Sequence, residues 1–201
     1  LAGHWGLIMV LGGLIAARVP YWPALMLPQG ILLVFLFTLL HETSHRTVFA
    51  TAWLNKAVAW ICGFLIALPP EWFRHFHFEH HRYTQDPERD PELITSVTPT
   101  GWRSYLYRVS AIPFLMIRVR DIFLFPFGFR GDVTYIHDQA WPEVRRWGRW
   151  LLAFYAGLIV GSILLRTDVL LWVWFIPLLV GLPLLRLYLL TEHTLCPNSD
   201  H

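Results

Sequence analysis

The sequence predicts an all-α integral membrane protein, in which four transmembrane helices form two hairpins and carry a histidine-rich metal site on their cytoplasmic side. Three observations lead to this prediction. Only 15% of the 201 residues are charged and 55% are hydrophobic, whereas soluble domains have about 25% charged residues. Several long segments carry no charge at all. Finally, six of the ten histidines occur in groups or positions that suit metal ligands.

The uncharged segments define the predicted spans, since a helix needs roughly 20 mainly apolar residues to cross a bilayer. Gly30–Leu40 and Trp150–Leu165 approach this length once their polar-tolerant ends are counted. Pro28 suits the start of the second span, because the first turn of a helix needs no donated hydrogen bond there. Pro177 and Pro183 are expected to kink the fourth. The predicted spans cover residues 4–19, 29–46, 149–165 and 169–190.

The region between the hairpins, residues 47–148, is predicted to be cytoplasmic and interfacial. Thirteen of the 16 Lys and Arg residues fall between Arg46 and Arg149, and basic segments favour the cytoplasmic side. Two weakly apolar stretches, Ala57–Leu68 and Tyr105–Phe129, are expected to form helices at the membrane surface. The ends of the second and fourth spans therefore face the cytoplasm.

Two groups of histidines have the spacing of metal ligands. One lies in HETSH at the end of the second span and the other in HFHFEHH, and side chains three or four residues apart share a helix face. A single histidine follows the fourth span, so the predicted topology brings all six to the same side. Ionisable groups at the ends of spans tend to mark functional sites. The predicted ligands are His41, His45, His77, His80, His81 and His193. His75 is left out, because it lies two residues from His77 and hence on the opposite face.

The HETSH segment has two interpretations. It matches the zinc-protease pattern H-E-x-x-H, in which Glu42 would be the catalytic base, and it also matches the looser H-x-x-x-H. Three or four ligands complete a zinc site, whereas six imidazoles indicate two metals, and imidazole suits iron. Glu42 is then expected to orient a ligand. A zinc protease and a membrane haem electron carrier are the more distant alternatives.

The two boxes, together with FHFEHHRYTQDPERDPEL (Phe76–Leu93), resemble the membrane fatty acid desaturase superfamily, which includes alkane hydroxylases and carotenoid hydroxylases and ketolases. The resemblance implies that the histidines bind two iron ions at the cytoplasmic face, with O₂ as co-substrate. It implies a desaturase that introduces a double bond into a fatty acyl chain or similar lipid, with membrane di-iron hydroxylation or ketolation as the alternative. Acidic and basic residues near the boxes are candidates for hydrogen bonding to the ligands: Glu42, Asp86, Asp90, Arg186 and Glu192. The two Asp-Pro pairs also suit turns, and Arg186 also suits a side chain that extends to the lipid headgroups.

The chain is predicted to be a single domain and a fragment, because the superfamily's third box, a further HxxHH, is absent before His201. We expect the gene to continue past His201, and this polypeptide alone to bind at most one iron and to be inactive. A flavin or nicotinamide glycine fingerprint, a haem module and a cysteine set for an iron–sulfur cluster are also absent. An external electron donor is therefore expected, of the ferredoxin, rubredoxin or cytochrome b5 type, and nothing in the sequence suggests nucleic acid.

Overall fold

A computed structural model describes residues 1–95, 100–131 and 133–191 of the chain. These residues form α-helices and, within the ranges given, no β-strand, which confirms the predicted all-α class. Short 3₁₀ turns cover Trp22–Leu25 and Phe125–Phe127, and a π-helical turn covers Leu171–Phe175. The α-helices are α1 Ala2–Ala16, α2 Met26–Val34, α3 Leu36–Ser44, α4 Ala52–Leu65, α5 Pro70–Arg82, α6 Pro91–Thr95, α7 Trp102–Val109, α8 Ile112–Leu124, α9 Trp141–Leu164 and α10 Ile176–Thr191.

Three stretches are long and apolar enough to cross a membrane, namely Trp22–Ser44, Trp141–Leu164 and Leu171–Thr191. The number becomes four if α4 and α5 are counted together as one span. The first predicted span forms α1, whose 15 residues fall short of the roughly 20 that a crossing needs. The described helices thus indicate a membrane protein with three to four spans.

The span Trp22–Ser44 consists of the 3₁₀ turn Trp22–Leu25, α2 and α3, with a short interruption at Phe35. The Phe35 carbonyl accepts a hydrogen bond from Thr38 Oγ1 at 2.8 Å, which satisfies a polar group within an apolar stretch. His45 is the residue that caps α3, and Arg46 then takes a left-handed conformation with φ of 60°. The first histidine box therefore occupies the last turn of this span and its cap.

The chain divides into two compact units, of which the first comprises Leu1–Ala67 and Phe154–Leu185. Within it, α2 and α10 approach so closely that glycine is needed on both sides. A Cβ atom at Gly30 would lie 2.2 Å from the carbonyl oxygen of Pro177, and one at Gly181 would lie 2.3 Å from the carbonyl oxygen of Gly30. Small residues at such crossings let membrane helices pack backbone against backbone.

Aromatic donors close the end of α4 in the same unit. The Tyr155 hydroxyl donates to the carbonyl of Phe64 at 2.7 Å, and the Trp174 indole donates to the carbonyl of Leu65 at 2.7 Å. The last carbonyls of a helix have no partner within the helix. These two hydrogen bonds therefore satisfy acceptors that would otherwise be costly to bury.

The second unit comprises Leu68–Ala153 and the chain from Arg186 onward. Its α5 begins at Pro70 with Glu71 in the first turn, both favourable at a helix start. One face of α5 buries Trp72, Phe73, His77 and His80. The predicted interfacial stretch 105–129 forms most of α7 and all of α8, which a left-handed Ala111 separates.

Candidate metal centre

The first box is a pair of histidines at the end of α3. The ring centroids of His41 and His45 are 5.2 Å apart, and each ring offers a nitrogen within 4.8 Å of a nitrogen on the other. Both rings are half-buried. The Nδ1 atom of His41 lies 3.0 Å from Oε1 of Glu42, whose Oε2 accepts a hydrogen bond from Thr47 Oγ1 at 3.3 Å. Glu42 thus holds the Nδ1 atom of His41.

The second box lies on α5, where His77 and His81 face each other across one helical turn. Their Nε2 atoms are 3.0 Å apart. His77 is buried, and the ring of Phe73 stacks on it at a centroid distance of 5.2 Å with planes 12° apart. This stacking restricts the orientation of the imidazole, so the nitrogen that points toward His81 is set by packing.

His80, the third histidine of the box, turns toward the loop after α5. Its Nδ1 lies 2.8 Å from Oδ1 of Asp90, and both side chains are buried. Asp90 also accepts the backbone amides of Gln85 at 3.0 Å and Glu92 at 2.9 Å. Burial acts to raise the pKa of Asp90, but the hydrogen bonds from His80 and these two amides outweigh it, so the pKa is lowered. Asp90 is therefore an ionised acceptor that holds Nδ1 of His80.

The two Asp-Pro aspartates have different surroundings. Asp86 accepts the amides of Glu88 at 2.9 Å and Arg89 at 3.1 Å through its Oδ1, which closes a turn. Asp90, four residues later, contacts the ring of His80. The turn formed by Asp86 thus presents Asp90 to the box.

The donor atoms within each box fit a metal ion. A separation of 3.0 Å between His77 Nε2 and His81 Nε2 is what two ligands show when they bind one ion at about 2.1 Å and roughly a right angle. A carboxylate on Nδ1, as at His41 and His80, is the usual companion of a ligating histidine. Imidazole nitrogen is a donor that iron accepts. The histidines of each box could therefore bind metal.

The remaining predicted residues have varied positions. His75 is half-buried on α5. Burial has the largest effect on its pKa and lowers it, and the charges of Arg74 and Glu71 act in opposite directions. Arg186, five residues before the end of α10, lies with its guanidinium carbon 5.6 Å from the ring centroid of Phe114. Glu192 and His193 lie outside the described residues.

Two polar residues near the second box were not among the predictions. Oε2 of Glu92 lies 3.5 Å from Nε2 of His80, and Arg118 is buried against Trp72 on α5. Glu92 follows Asp90 by two residues, and Asp90 was predicted to hydrogen-bond to a metal ligand. The sequence could therefore have indicated Glu92 as well. Arg118 gave no such signal, since its burial depends on α5 and α8 packing together.

The fold and the histidines thus define a membrane protein that has apolar spanning helices and imidazole groups able to bind metal. Residues 16–201 match the family model "Fatty acid desaturase". The chain belongs to the fatty acid desaturase family, which points to an oxidoreductase and, for this family, to iron.

Relatives with curated names are desaturases. The chain is 25% identical over 197 residues to "Dihydrorhizobitoxine desaturase" of Bradyrhizobium elkanii, which covers 86% of this chain and 53% of that protein. It is 32% identical over 73 residues to the "Delta(12) fatty acid desaturase" of Mortierella isabellina and that of Mortierella alpina, covering 36% of this chain and 18% of each. The chain thus spans about half the length of the bacterial relative and less of the fungal ones. No solved structure matches it.

Proposed function

We propose that this chain belongs to an O₂-dependent membrane desaturase that uses two iron ions to introduce a double bond into a fatty acyl chain or similar lipid. The observation that carries the proposal is the second box, where His77 and His81 place two nitrogens 3.0 Å apart and Asp90 holds His80. Membership of the desaturase family supports it, and so do the apolar helices.

The proposed iron ligands are the five box histidines and one from the segment after α10. Spacing on a helix and the donor chemistry of imidazole support the two boxes. His193 rests on sequence position alone. The set is His41, His45, His77, His80, His81 and His193.

Desaturation removes two hydrogen atoms from the substrate, and with two electrons and two protons from a donor these reduce O₂ to two waters. Bound iron would supply the activation of O₂ that an unactivated C–H bond requires. The residues of the chain have supporting tasks. Asp90 keeps the proton of His80 on Nδ1, and the stacked Phe73 covers one face of the buried His77.

The contacts of Glu42 favour iron chemistry over proteolysis. A zinc protease needs the carboxylate of H-E-x-x-H free to take a proton from water. Glu42 instead contacts Nδ1 of His41 and the hydroxyl of Thr47. Metal analysis of protein produced with both iron and zinc present tests this. We expect iron in excess and no Soret absorbance; zinc alone would support the protease, and a Soret band would support the haem carrier.

Product analysis tests the reaction itself. Lipids of cells that express the gene should contain a new double bond, identified by mass spectrometry as a species that lacks two hydrogens. Cells that express His77→Ala at the same level are the control and should lack this species. If the only new product carries a hydroxyl group, the enzyme is a hydroxylase and the desaturase proposal is wrong.

The proposed electron donor is a separate acidic protein, of the ferredoxin, rubredoxin or cytochrome b5 type, that docks on the basic region 47–148. Exposed arginines of this region, among them Arg82, Arg103 and Arg146, supply the positive charge. Attraction between exposed charges is screened by salt. Donor binding should therefore weaken steeply as salt is raised, and binding that is indifferent to salt would contradict this docking.

We also propose that the metal site lies on the cytoplasmic side, because basic segments such as residues 47–148 favour that side. Arg103 is exposed on α7 and is a suitable reporter position. An Arg103→Cys variant, combined with Cys62→Ser and Cys196→Ser, should react with a membrane-impermeant thiol reagent only after the cells are opened. Labelling of intact cells would place the region on the opposite side.

A further inference from the structure

The second unit contains a group of arginines with unsatisfied hydrogen-bond donors, here named the arginine cluster: Arg108 of α7, Arg118 of α8 and Arg186 of α10. Arg118 is only 6% exposed. Its Nε and Nη1 atoms, and the Nε atoms of Arg108 and Arg186, are buried and have no hydrogen-bond partner among the residues that the structure describes. Buried polar groups of this kind are rare in native proteins, because they lose their hydrogen bonds to water without gaining a partner in the protein.

Aromatic rings cover the faces of these guanidinium groups. The guanidinium carbon of Arg118 lies 3.8 Å from the ring centroid of Trp72 and 4.9 Å from that of Phe114. Arg186 lies 5.6 Å from the centroid of Phe114, so this ring is shared. A guanidinium that stacks on rings keeps its N–H groups at its edges, in the plane in which it hydrogen-bonds to a carboxylate or phosphate.

The nearby carboxylates do not balance the cluster. Asp121 forms an ion pair with Arg120. Its Oδ1 atom lies 2.9 Å from Nη2 and 3.0 Å from Nε of that arginine. Glu92 is the acidic group among the charged neighbours of Arg186. Burial lowers the pKa of Arg118 to about 10, which leaves it charged at neutral pH. Among the described residues, the three guanidinium groups thus have two neighbouring carboxylates, Asp121 and Glu92, and each of these also contacts another basic side chain.

We propose that the arginine cluster binds an oxyanion, a carboxylate or a phosphate, at the head of an amphiphilic molecule. The identification of that molecule with the substrate rests on the proposed function, whereas the anion site itself does not. A buried cation is costly unless an opposite charge pairs with it. An anion bound at the edges of Arg118 and Arg186 would provide that pair.

The chemistry of the site selects this class of ligand. The guanidinium fork matches the two oxygens of a carboxylate or phosphate, and such pairs are charge-assisted. Trp72 and Phe114 line the cluster with apolar surface, which suits a molecule with a hydrocarbon part better than a hydrated free ion. Trp72 lies on α5, the helix that carries His77. An anion held here would fix one end of a molecule relative to the second box.

The test measures binding of radiolabelled oleate to the purified metal-free chain in a neutral detergent. Oleyl alcohol, which has the same chain without the charge, phosphatidylglycerol and inorganic phosphate are the competitors. Arg118→Met should weaken oleate or phosphatidylglycerol binding by about tenfold or more, the contribution of one or two charge-assisted hydrogen bonds. Arg118→Lys, which keeps the charge but loses the fork, should fall between this variant and the wild type.

The matched control is Arg103→Met, which removes an exposed arginine from α7 and should bind every probe as the wild type does. Weakened oleate binding in Arg118→Met assigns the site to a carboxylate, and weakened phosphatidylglycerol binding assigns it to a lipid phosphate. If inorganic phosphate is the only probe that competes, the proposal of an amphiphilic ligand is wrong. If Arg118→Met matches Arg103→Met with every probe, or lowers the melting temperature without any change in binding, the proposal is wrong. The binding assay needs neither iron nor turnover. A failure of the anion site can therefore be distinguished from a failure of the proposed function.

Discussion

The two histidine boxes are held in place by different interactions. The first box ends a span whose position depends on close backbone packing, with Gly30 against the Pro177 carbonyl. Its carboxylate partner, Glu42, has a side chain that is 55% exposed. The second box depends on a buried hydrogen bond, since the side chain of Asp90, the partner of His80, is 1% exposed.

This difference matters because the strength of a charged hydrogen bond depends on its surroundings. Exposed pairs contribute little, since water competes for both groups. Buried pairs are stronger and costlier to break, because the group left behind has no substitute partner. Loss of the carboxylate should therefore affect the second box far more than the first, whereas a change in helix packing should affect the first.

The largest expected effect is removal of a ligand from the second box. In the protein expressed from the complete gene, His77→Ala and His81→Ala should each abolish turnover and iron binding at that box, since either change leaves one imidazole of the 3.0 Å pair. Iron per chain, measured by mass spectrometry of the metal, and product formation check this. His75→Ala is the matched control on α5 and should retain most activity. If His75 proves essential and His77 dispensable, the assignment of the α5 face is wrong.

A packing change in the first unit should come next. Gly30→Ala would put a Cβ atom 2.2 Å from the Pro177 carbonyl oxygen, so α2 and α10 must separate. We expect the free energy of unfolding to fall by about 1–3 kcal/mol, as in other overpacked sites. Denaturant unfolding in detergent measures it. Gly157→Ala is the control, because among the described residues no atom beyond the helix's own backbone lies within 4 Å of its Cβ position, and equal destabilisation by both would contradict the close contact.

The buried carboxylate should have the next largest effect. Asp90→Asn keeps the size of the side chain but removes the charge that holds Nδ1 of His80. Metal affinity should fall by roughly 10- to 100-fold, the usual loss when a residue that orients a ligating histidine is changed. Iron competition with a chelator measures the affinity. Asp86→Asn, whose amide oxygen can still accept the Glu88 and Arg89 amides and so preserves the turn, should leave the affinity near that of the wild type.

The smallest expected effect is at the exposed carboxylate. Glu42→Gln should change iron affinity by no more than about twofold, because an exposed pair contributes little. The same chelator competition checks it. Equal losses in Glu42→Gln and Asp90→Asn would show that burial does not distinguish the two boxes, and a larger loss in Glu42→Gln would show that the exposed carboxylate is the stronger partner.

The sequence was a good guide to the parts of the fold that depend on local spacing. Apolar length predicted three helices that match candidate spans, with different ends: α9 begins at Trp141, eight residues before the predicted start. The reason is that Pro142 and Glu143 favour a helix start although the first turns are polar. The spacing of His77 and His81 likewise predicted their shared face, because the helix period is the same everywhere.

Partner choice could not be predicted in the same way. Asp86 and Asp90 both precede a proline, and only the folded chain shows that one closes the turn and the other holds His80. The glycines of the last two spans also differ in their surroundings. Gly181 contacts Gly30, whereas no described atom beyond the helix's own backbone lies within 4 Å of the Cβ positions of Gly157 and Gly161.

By itself the sequence determined the all-α class, the apolar spans, the histidine pairs and, through its motifs, the desaturase family. These features follow from composition and from the constant geometry of a helix, which neighbouring residues suffice to define. Only the tertiary structure decided that Asp90 and Arg118 are buried and that Gly30 meets Pro177. Each of these depends on segments that are distant in the chain, and burial is what makes a carboxylate a strong partner or leaves a guanidinium in need of one.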